Sequence, residues 1–291
     1  MAPLSFLGQF NINTPSSQGT IVAPDTDSGL RNMTKSYQSF EGKLRSLKQH
    51  LQLMDMALKI TDKHCRKNGK DNITVAESLG TTLEEYPQLN MPAKVKDIGR
   101  AFATSRIKVN EQAIIELYAA FSDYLVSIIH ELAHGNNRNE LLCLIESKND
   151  NDSKVTYKQI FDFASFERIL DEIANRVYRN LENSTRSTPK MLNKILSVLN
   201  IQIPDDMKED ALLHLEVRHL IIHNNSKIDD DFNNRNNNGR IPVNTVNKKI
   251  IINYALSKIA IEKVLVLCKK IDDELIAKSL LKDQFPTKFI Q

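Results

Sequence analysis

Apolar residues recur every three or four positions along most of this chain, which is the spacing that brings them onto one face of an α-helix. The first such stripe begins after residue 41. A longer stripe follows Asn110, which we predict as the cap of its helix, and ends at Gly135. Further helices are predicted to begin near residues 166, 188, 205 and 253, and only the short sequence KKIII at 248–252 has the character of a strand. The pattern therefore predicts an all-α protein built as a helical bundle.

The composition of the remaining segments divides the chain into three parts. Residues 1–40 are rich in Gly, Pro, Ser, Asn and Thr and predict an extended arm. Residues 41–105 predict an N-terminal helical region, and residues 106–291 predict a helical domain. The Asn-rich sequence DDDFNNRNNNGRIP, within the last part, is predicted to be a loop.

The charge is nearly balanced overall, with a net charge of +3, but it is unevenly distributed. Between residues 43 and 70 there are eight lysines and arginines against two aspartates, Asp55 and Asp62, a local excess of six positive charges. Such a segment favours contact with phosphates, whereas the simpler interpretation is a solvated helix face. We favour the solvated face and keep RNA contact as the alternative.

Three cysteines, Cys65, Cys143 and Cys268, lie far apart and are odd in number, so they do not suggest a disulfide framework. The sequence has no apolar run approaching the roughly 20 residues of a membrane span, and no signal-peptide pattern. We therefore expect a cytoplasmic protein with no membrane contact.

The sequence HELAH at residues 130–134 matches the HExxH pattern of zinc proteases. On a helix His130 and His134 share one face, as two zinc ligands must, and Glu131 would be the general base. However, the sequence singles out no third ligand, and no sheet is predicted that would bind an extended peptide. Asp123 and Ser127 continue the same polar stripe. A polar helix face is therefore favoured, and a zinc hydrolase is kept as an alternative.

A second group of polar residues, Arg218, His219 and His223, interrupts the end of an otherwise apolar helix. His219 and His223 share a face, whereas Arg218 and His223 lie about 140° apart on an ideal helix. Both can reach one phosphate only if the helix ends near His223 or if a second chain brings its own pair. Asn224 or Asn225 would take the left-handed backbone conformation that ends the helix. The structural alternatives are an ion pair for Arg218 and an interaction of His223 with the negative helix end.

The sequence LEVRHLIIHNNSKIDDDF, residues 215–232, resembles the signature of the HEPN superfamily (higher eukaryotes and prokaryotes nucleotide-binding). In that signature an arginine is followed by a polar residue and, after four to six intervening residues, by a histidine. The continuation HNN and KIDDDF is similar to the prokaryotic, ribonuclease-L-like branch. The resemblance covers about residues 110–285 and includes a long first helix, the motif helix and a long closing helix. It implies that residues 106–291 form a HEPN domain and that HELAH is part of its ordinary first helix.

The resemblance implies a metal-independent endoribonuclease that needs no cofactor and acts on RNA as a homodimer, with the two motifs facing each other. Arg218 would bind the scissile phosphate and His223 would be the general acid or base. The 2′-hydroxyl of the RNA would attack and leave a 2′,3′-cyclic phosphate. His219, at the polar position of the motif, and Asn224 are expected to contact the substrate.

The resemblance also implies a biological role and an alternative to catalysis. Members of the superfamily act in phage defence and as toxins, so an antitoxin or regulatory partner is expected. Other members only bind RNA or are structural, and a non-catalytic interaction module is therefore the second hypothesis. Two departures matter here. Ser122 lies about where some relatives have an acid, with Asp123 beside it, and Asn225 replaces the tyrosine of the branch that is silenced by nucleotidylation.

Overall fold

The protein is described by a computed structural model over residues 32–68, 73–92, 94–144, 156–163, 165–236, 239–244 and 246–284. These residues belong to one compact unit. The helices are α1 Lys35–Asn68, α2 Val75–Ser78, a 3-10 turn at Pro87–Leu89, α3 Val95–His134, α4 Arg138–Cys143, α5 Tyr157–Asp162, α6 Phe166–Thr185, α7 Thr188–Val198, α8 Asp205–His223, α9 Asp230–Arg235 and α10 Tyr254–Ala277. Two short antiparallel strands, β1 Val243–Asn244 and β2 Lys249–Ile250, precede α10. The prediction of an all-α bundle is confirmed.

Helix α3 is the centre of the bundle, because α1, α6, α8 and α10 all pack against it. Its apolar stripe is buried, with Leu117, Phe121 and Leu132 fully inaccessible to solvent. By length and composition alone, Lys96–His134 is apolar enough to cross a membrane, but half of its most apolar window is buried inside the protein. The core helix of a soluble bundle has the same property, so the absence of membrane contact stays a prediction.

Helix α3 begins fifteen residues earlier than the sequence pattern predicted, at Val95 instead of Asn110. Asn110 does not cap the helix. It is buried in the helix interior, where its Nδ2 donates a hydrogen bond of 2.7 Å to the backbone oxygen of Arg106. A polar side chain that donates a hydrogen bond to the preceding turn is compatible with a continuing helix, which is why the expected start was wrong.

Helix α1 runs antiparallel to α3 and is joined to it by polar contacts at two points. Near the start of α1, the backbone N and Oγ of Ser36 donate to Glu131, at 2.9 and 2.6 Å. Further along, the guanidinium of Arg106 donates to Asp55 at 3.0 and 3.1 Å. Because α3 passes through the predicted boundary at residue 105, the segments 41–105 and 106–291 share one core. Their division therefore rests on the sequence resemblance and stays a prediction.

Residues 1–31, most of the predicted arm, lie outside the described residues. The remainder of that segment differs from the expectation, since α1 already begins at Lys35. Thr34 precedes it, and its backbone N and Oγ1 donate to the buried carboxylate of Asp272 on α10. This contact fixes the start of α1 against the last helix.

Most cations of the basic segment in α1 face carboxylates. Ion pairs join Lys43 to Asp123, Lys48 to Glu262, and the remaining paired cations to acids one turn away within α1 itself. The local positive charge is thereby largely balanced. This arrangement favours the solvated helix face and gives no support to the alternative of an RNA-binding surface on α1.

Helix α8 begins at Asp205 and ends at His223, as the sequence predicted. The backbone N–H groups of Asn224 and Ser226 both donate to the oxygen of Leu220, at 3.0 and 2.8 Å. Asn225, with φ of 51°, takes the left-handed conformation that terminates the helix. Of the two residues proposed for that conformation, the structure assigns it to Asn225.

The sequence predicted as an Asn-rich loop contains a helix, α9. Oδ1 of Asp229 caps it by accepting a hydrogen bond of 2.8 Å from the backbone N–H of Phe232. The Phe232 side chain is only 1% exposed and belongs to the main core. A good cap and one buried aromatic side chain thus outweigh the poor helix propensity of the asparagines.

Candidate functional site

Arg218 lies on α8, and its guanidinium carbon is 4.8 Å from the centre of the Tyr118 ring on α3. The hydroxyl of Tyr118 shares a short hydrogen bond with Oγ1 of Thr188, the first residue of α7. One tyrosine therefore connects α3, α7 and α8 and holds the guanidinium through a cation–π contact. Among the described residues, no carboxylate forms an ion pair with Arg218, so the ion pair considered as its structural role is not found there.

Arg218 lines a cavity of about 530 Å³ between α3, α7, α8 and α9. Four strong cations line this cavity, Arg186, Lys190, Arg218 and Arg235, against one carboxylate, Glu216, which leaves an excess of three positive charges. Arg235 is directly paired with Glu216, so its charge is compensated locally. In the part of the chain that the structure describes, the other three cations form no ion pair. The cavity is therefore suited to an anionic ligand.

The N-terminus of α7 contributes Ser187, Thr188, Pro189 and Lys190 to the same cavity wall. Ser187 is the N-cap residue, but its side chain makes no capping hydrogen bond. The positive end of the helix dipole thus adds to the positive charge of the cavity. Anions are favoured at such a position.

A second cavity, of about 430 Å³, adjoins the first and shares Arg186 and Arg218 with it. It adds Ser122, Tyr178 and Glu182 to the lining. Burial, followed by the charge of Glu182, raises the pKa of Tyr178. Ser122, which the sequence resemblance aligns with an acid in some HEPN proteins, lines this second cavity together with Arg218, although Ser122 itself is not acidic.

Of the acids Asp123 and Glu182, only Glu182 lines the cavity that contains Ser122. The Oδ2 of Asp123 accepts a hydrogen bond of 2.7 Å from Nζ of Lys43 and does not line either cavity. Glu182, on α6, is the carboxylate that lines the second cavity. No sequence pattern indicated Glu182, because it reaches the cavity from a different helix.

His219 and His223 form a pair on the solvent side of α8, with ring centres 4.7 Å apart. His219 lines the first cavity together with Arg218, whereas His223, the last residue of α8, lies outside the residues that line it. Nδ2 of Asn224 donates to Oδ2 of Asp229 at 3.3 Å. Within one chain, therefore, Arg218 and His219 line the same cavity and the ring of His219 contacts that of His223, but His223 itself does not line the cavity.

The HELAH residues form a polar cluster with α6. The imidazoles of His130 and His134 both contact Oδ1 of Asp171, at 3.2 and 2.8 Å, and His130 also contacts Asn175 at 3.1 Å. The hydrogen bond with His134, aided by His130, lowers the pKa of Asp171. Glu131 faces the other way and binds Ser36 at the start of α1.

This arrangement favours the polar-face interpretation of HELAH. A general base would have to lie beside the two histidines, but Glu131 is held away from them by its contact with Ser36. Over the described ranges, no group of three or more His, Cys, Asp or Glu side chains is arranged to hold a metal ion. The zinc-hydrolase alternative thus finds no third ligand in this part of the chain.

The sequence did not reveal most residues that surround Arg218. Tyr118, Arg186, Lys190 and Arg235 come from separate helices, and none of them belongs to a recognisable motif. The comparisons add nothing further, because no protein-family model, curated protein or solved structure matches this sequence. The geometry around Arg218 is therefore the main observation from which a function can be argued.

Proposed function

We propose that this protein is a metal-independent endoribonuclease of the HEPN type. The observation that carries the proposal is the environment of Arg218, which lines a cationic cavity, packs on Tyr118 and has no ion-pair partner among the described residues. A half-buried guanidinium without a carboxylate is available for a phosphate, which it can bind through two parallel hydrogen bonds. The HEPN resemblance of the α8 sequence makes an RNA phosphodiester the ligand.

The reaction needs three groups near the phosphate. A base takes the proton of the 2′-hydroxyl, the 2′-oxygen forms a bond to phosphorus, and the bond from phosphorus to the 5′-oxygen breaks as an acid protonates that oxygen. His223 and its neighbour His219 are suited to these proton transfers, because an imidazole ring can accept a proton on one nitrogen and donate one from the other. Arg218 would stabilise the charge that develops on the non-bridging oxygens. The products are a 2′,3′-cyclic phosphate and a 5′-hydroxyl.

A homodimer would complete the site. His223 does not line the cavity of its own Arg218, so a second copy that brings its own α8 end would place the missing imidazole beside it. Ile222, next to His223 on α8, is 45% exposed and offers an apolar contact for such an interface. A stable dimer of this kind would bury more than about 1,000 Å² in total.

The same position of His223 favours the second hypothesis, a non-catalytic RNA-binding module. In that case Arg218 and the neighbouring cations would bind phosphate, and His223 would have no role in chemistry. The two hypotheses differ in one measurable respect. If the protein is a ribonuclease, replacement of His223 abolishes RNA cleavage. If it is a binding module, there is no cleavage to lose.

The decisive experiment is RNA cleavage by the purified protein in the presence of EDTA. We expect cleavage by the wild type, products with cyclic-phosphate ends, and a loss of at least about a hundredfold in both Arg218→Ala and His223→Ala, the scale of a removed charge-stabilising donor and of a removed acid–base group. His134→Ala removes a histidine from outside the site and is the matched control. Products that end in a 3′-hydroxyl would refute the mechanism, and binding without cleavage would support the module.

The composite site can be tested by mixing the two inactive variants. If one chain supplies Arg218 and the other supplies His223, a heterodimer of Arg218→Ala and His223→Ala regains part of the activity. If both copies of both residues are required, no activity returns. A protein that cuts RNA while monomeric at micromolar concentration would rule out the shared site.

A toxin or phage-defence role in the cytoplasm, restrained by an antitoxin or regulatory partner, belongs to the same proposal and rests on the resemblance alone. Its test is expression in a bacterial host. The wild type should arrest growth, and Arg218→Ala should not. Equal growth of both strains at equal protein levels would contradict the toxin role.

A further inference from the structure

We propose that the cavity beside Arg218 is a subsite for a nucleotide that neighbours the cleaved phosphate, and that Arg186 and Lys190 bind the phosphate of this nucleotide. The inference rests on the proposed function, because it takes RNA as the ligand. It assigns a positioning role to two residues outside the HEPN-like motif. Arg186 lies just before α7 and Lys190 lies in the first turn of α7, whereas the motif lies on α8.

The first support is the uncompensated charge of the cavity. Arg235 has its carboxylate partner in Glu216, but Arg186 and Lys190 form no ion pair in the ranges that the structure describes. Both nevertheless line the same cavity as Arg218. Like charges held around one cavity repel one another, and an anion between them removes that repulsion. The phosphate of a nucleotide is an anion that guanidinium and ammonium groups bind well.

The second support is the backbone of Arg186. This residue ends α6 in the left-handed conformation, with φ of 49° and ψ of 18°. A side chain other than Gly or Asn is disfavoured at such a position, because its Cβ crowds the backbone. The capping itself needs only the backbone, since the N–H of Arg186 donates to the oxygen of Glu182 at 2.9 Å. A large cationic side chain is thus kept at a strained position that a glycine would fill more easily, and strain of this kind is concentrated at functional sites.

The third support is the size and lining of the cavity. Its volume of about 530 Å³ lies within the range of roughly 300–1,000 Å³ that is typical of small-molecule sites. Leu212, Leu215 and Pro189 give it apolar walls, and Thr188 gives it a hydroxyl group. Apolar walls beside a cationic rim suit a nucleotide, whose base and sugar pack on the walls while its phosphate meets the cations.

The test measures binding of a fluorescein-labelled 2′-O-methyl RNA oligonucleotide, which cannot be cleaved because its 2′-oxygen is blocked. Arg186→Asn removes the charge but keeps a residue that tolerates the left-handed conformation. Lys190→Gln is the second variant, in case the first disturbs α6. Arg168→Gln, at the other end of α6 and outside both cavities, is the charge-matched control.

We expect Arg186→Asn and Lys190→Gln each to weaken oligonucleotide binding about tenfold. Each should also reduce the slope of the logarithm of affinity against the logarithm of salt concentration by about 0.7, as expected for one lost phosphate contact to a single strand. Arg168→Gln should change neither quantity. The unfolding midpoint of Arg186→Asn should equal or exceed that of the wild type, which separates lost binding from lost folding.

Several results would overturn the inference. Wild-type affinity in both variants, or no oligonucleotide binding by the wild type at low salt, would remove the subsite. A free nucleotide, tested with ATP, would replace RNA as the ligand if ATP alone bound in an Arg186-dependent manner.

The fate of the subsite can be separated from that of the proposed enzyme. Unchanged binding in Arg186→Asn together with intact cleavage would refute the subsite and leave the ribonuclease standing. Arg186-dependent binding by a wild type that cuts no RNA would support the subsite and refute the ribonuclease.

Discussion

Replacement of Asp272 by Asn should stabilise the protein relative to the wild type, and this gain in stability should be larger at neutral pH than at acid pH. Asp272 lies on α10 with no solvent exposure. It accepts hydrogen bonds from the backbone N and Oγ1 of Thr34, at 3.2 and 2.5 Å, and Nζ of Lys269 is 3.7 Å away. These contacts favour the carboxylate, but burial outweighs them and raises the pKa of Asp272 from 3.8 to about 6.

The sign of the effect follows from the number of bound protons. Between pH 4 and pH 6 the folded state holds a proton on Asp272 that the unfolded chain has released, so the free energy of unfolding falls as the pH rises. Below pH 4 both states are protonated and the effect vanishes. The difference between 3.8 and about 6 corresponds to about 3 kcal/mol of lost stability above pH 6, at about 1.4 kcal/mol for each pH unit.

The measurement is urea unfolding of wild type and Asp272→Asn, followed by circular dichroism from pH 4 to pH 7.5. The amide oxygen of Asn still accepts the bonds from Thr34 and carries no charge at any pH. Any constant difference between the two proteins therefore reflects packing, and the part that changes with pH reflects ionisation. We expect that difference to grow by about 3 kcal/mol in favour of Asp272→Asn as the pH rises from 4 to 7.

The exposed neighbour Asp273 provides the control, because Asp273→Asn removes a carboxylate from the same turn but leaves the buried, titratable carboxylate of Asp272 in place, so most of the pH dependence should remain. A difference between wild type and Asp272→Asn that stays flat with pH would refute the reasoning. A difference that favours the wild type at neutral pH would also refute it. That result would mean that Thr34 and Lys269 stabilise the ionised carboxylate more than burial destabilises it.

Three further outcomes are expected. Tyr118→Phe keeps the ring under Arg218 and should retain most binding of the 2′-O-methyl oligonucleotide, whereas Tyr118→Leu removes the cation–π contact and should weaken it several fold; equal affinities would show that the ring does not position the arginine. Phe232→Ala should lower the free energy of unfolding by about 3–5 kcal/mol in urea titrations, and a loss below about 1 kcal/mol would mean that α9 is not anchored by this side chain. His134→Ala should cut RNA within a few fold of the wild type and bind no less metal; simultaneous loss of activity and of stoichiometric zinc would restore the zinc interpretation.

The parts of the fold that the sequence predicted are those with a long apolar stripe. The helices ending at Thr185 and Ala277 each bury one continuous face, so the three-to-four spacing was visible. The helix ending at His223 is buried on all sides over residues 211–215 and was visible instead as an apolar stretch with a few polar residues near its end. The first part of α3 was missed because it packs on a small separate cluster around Ile98, which imposes little periodicity on its other residues. Helix α9 was missed because its stability depends on one buried side chain, Phe232, and no pattern can be seen in a single residue.

The candidate site was also predicted only in part from the sequence. Arg218, His219 and His223 were found because they are polar exceptions near the end of one apolar helix, which a sequence displays directly. Tyr118 and Arg186 were not found, because their importance comes from contacts with residues that are distant along the chain. The ring of Tyr118 meets a guanidinium one hundred positions later, and such a pairing is a property of the packed bundle.

The hydrogen bond between Tyr118 and Thr188 has a consequence for how ligands can be sought. The cavity takes its walls from four separate segments, on α3, at the start of α7, on α8 and on α9, so the unfolded chain has no equivalent of it. A molecule that occupies the cavity binds the folded state alone and shifts the unfolding equilibrium, by about 2.7 kcal/mol at a hundred times its dissociation constant. A panel of nucleotides and short oligonucleotides can therefore be ranked by melting temperature alone, before any reaction is known, and the Arg186→Asn protein shows which of the shifts originate in this cavity.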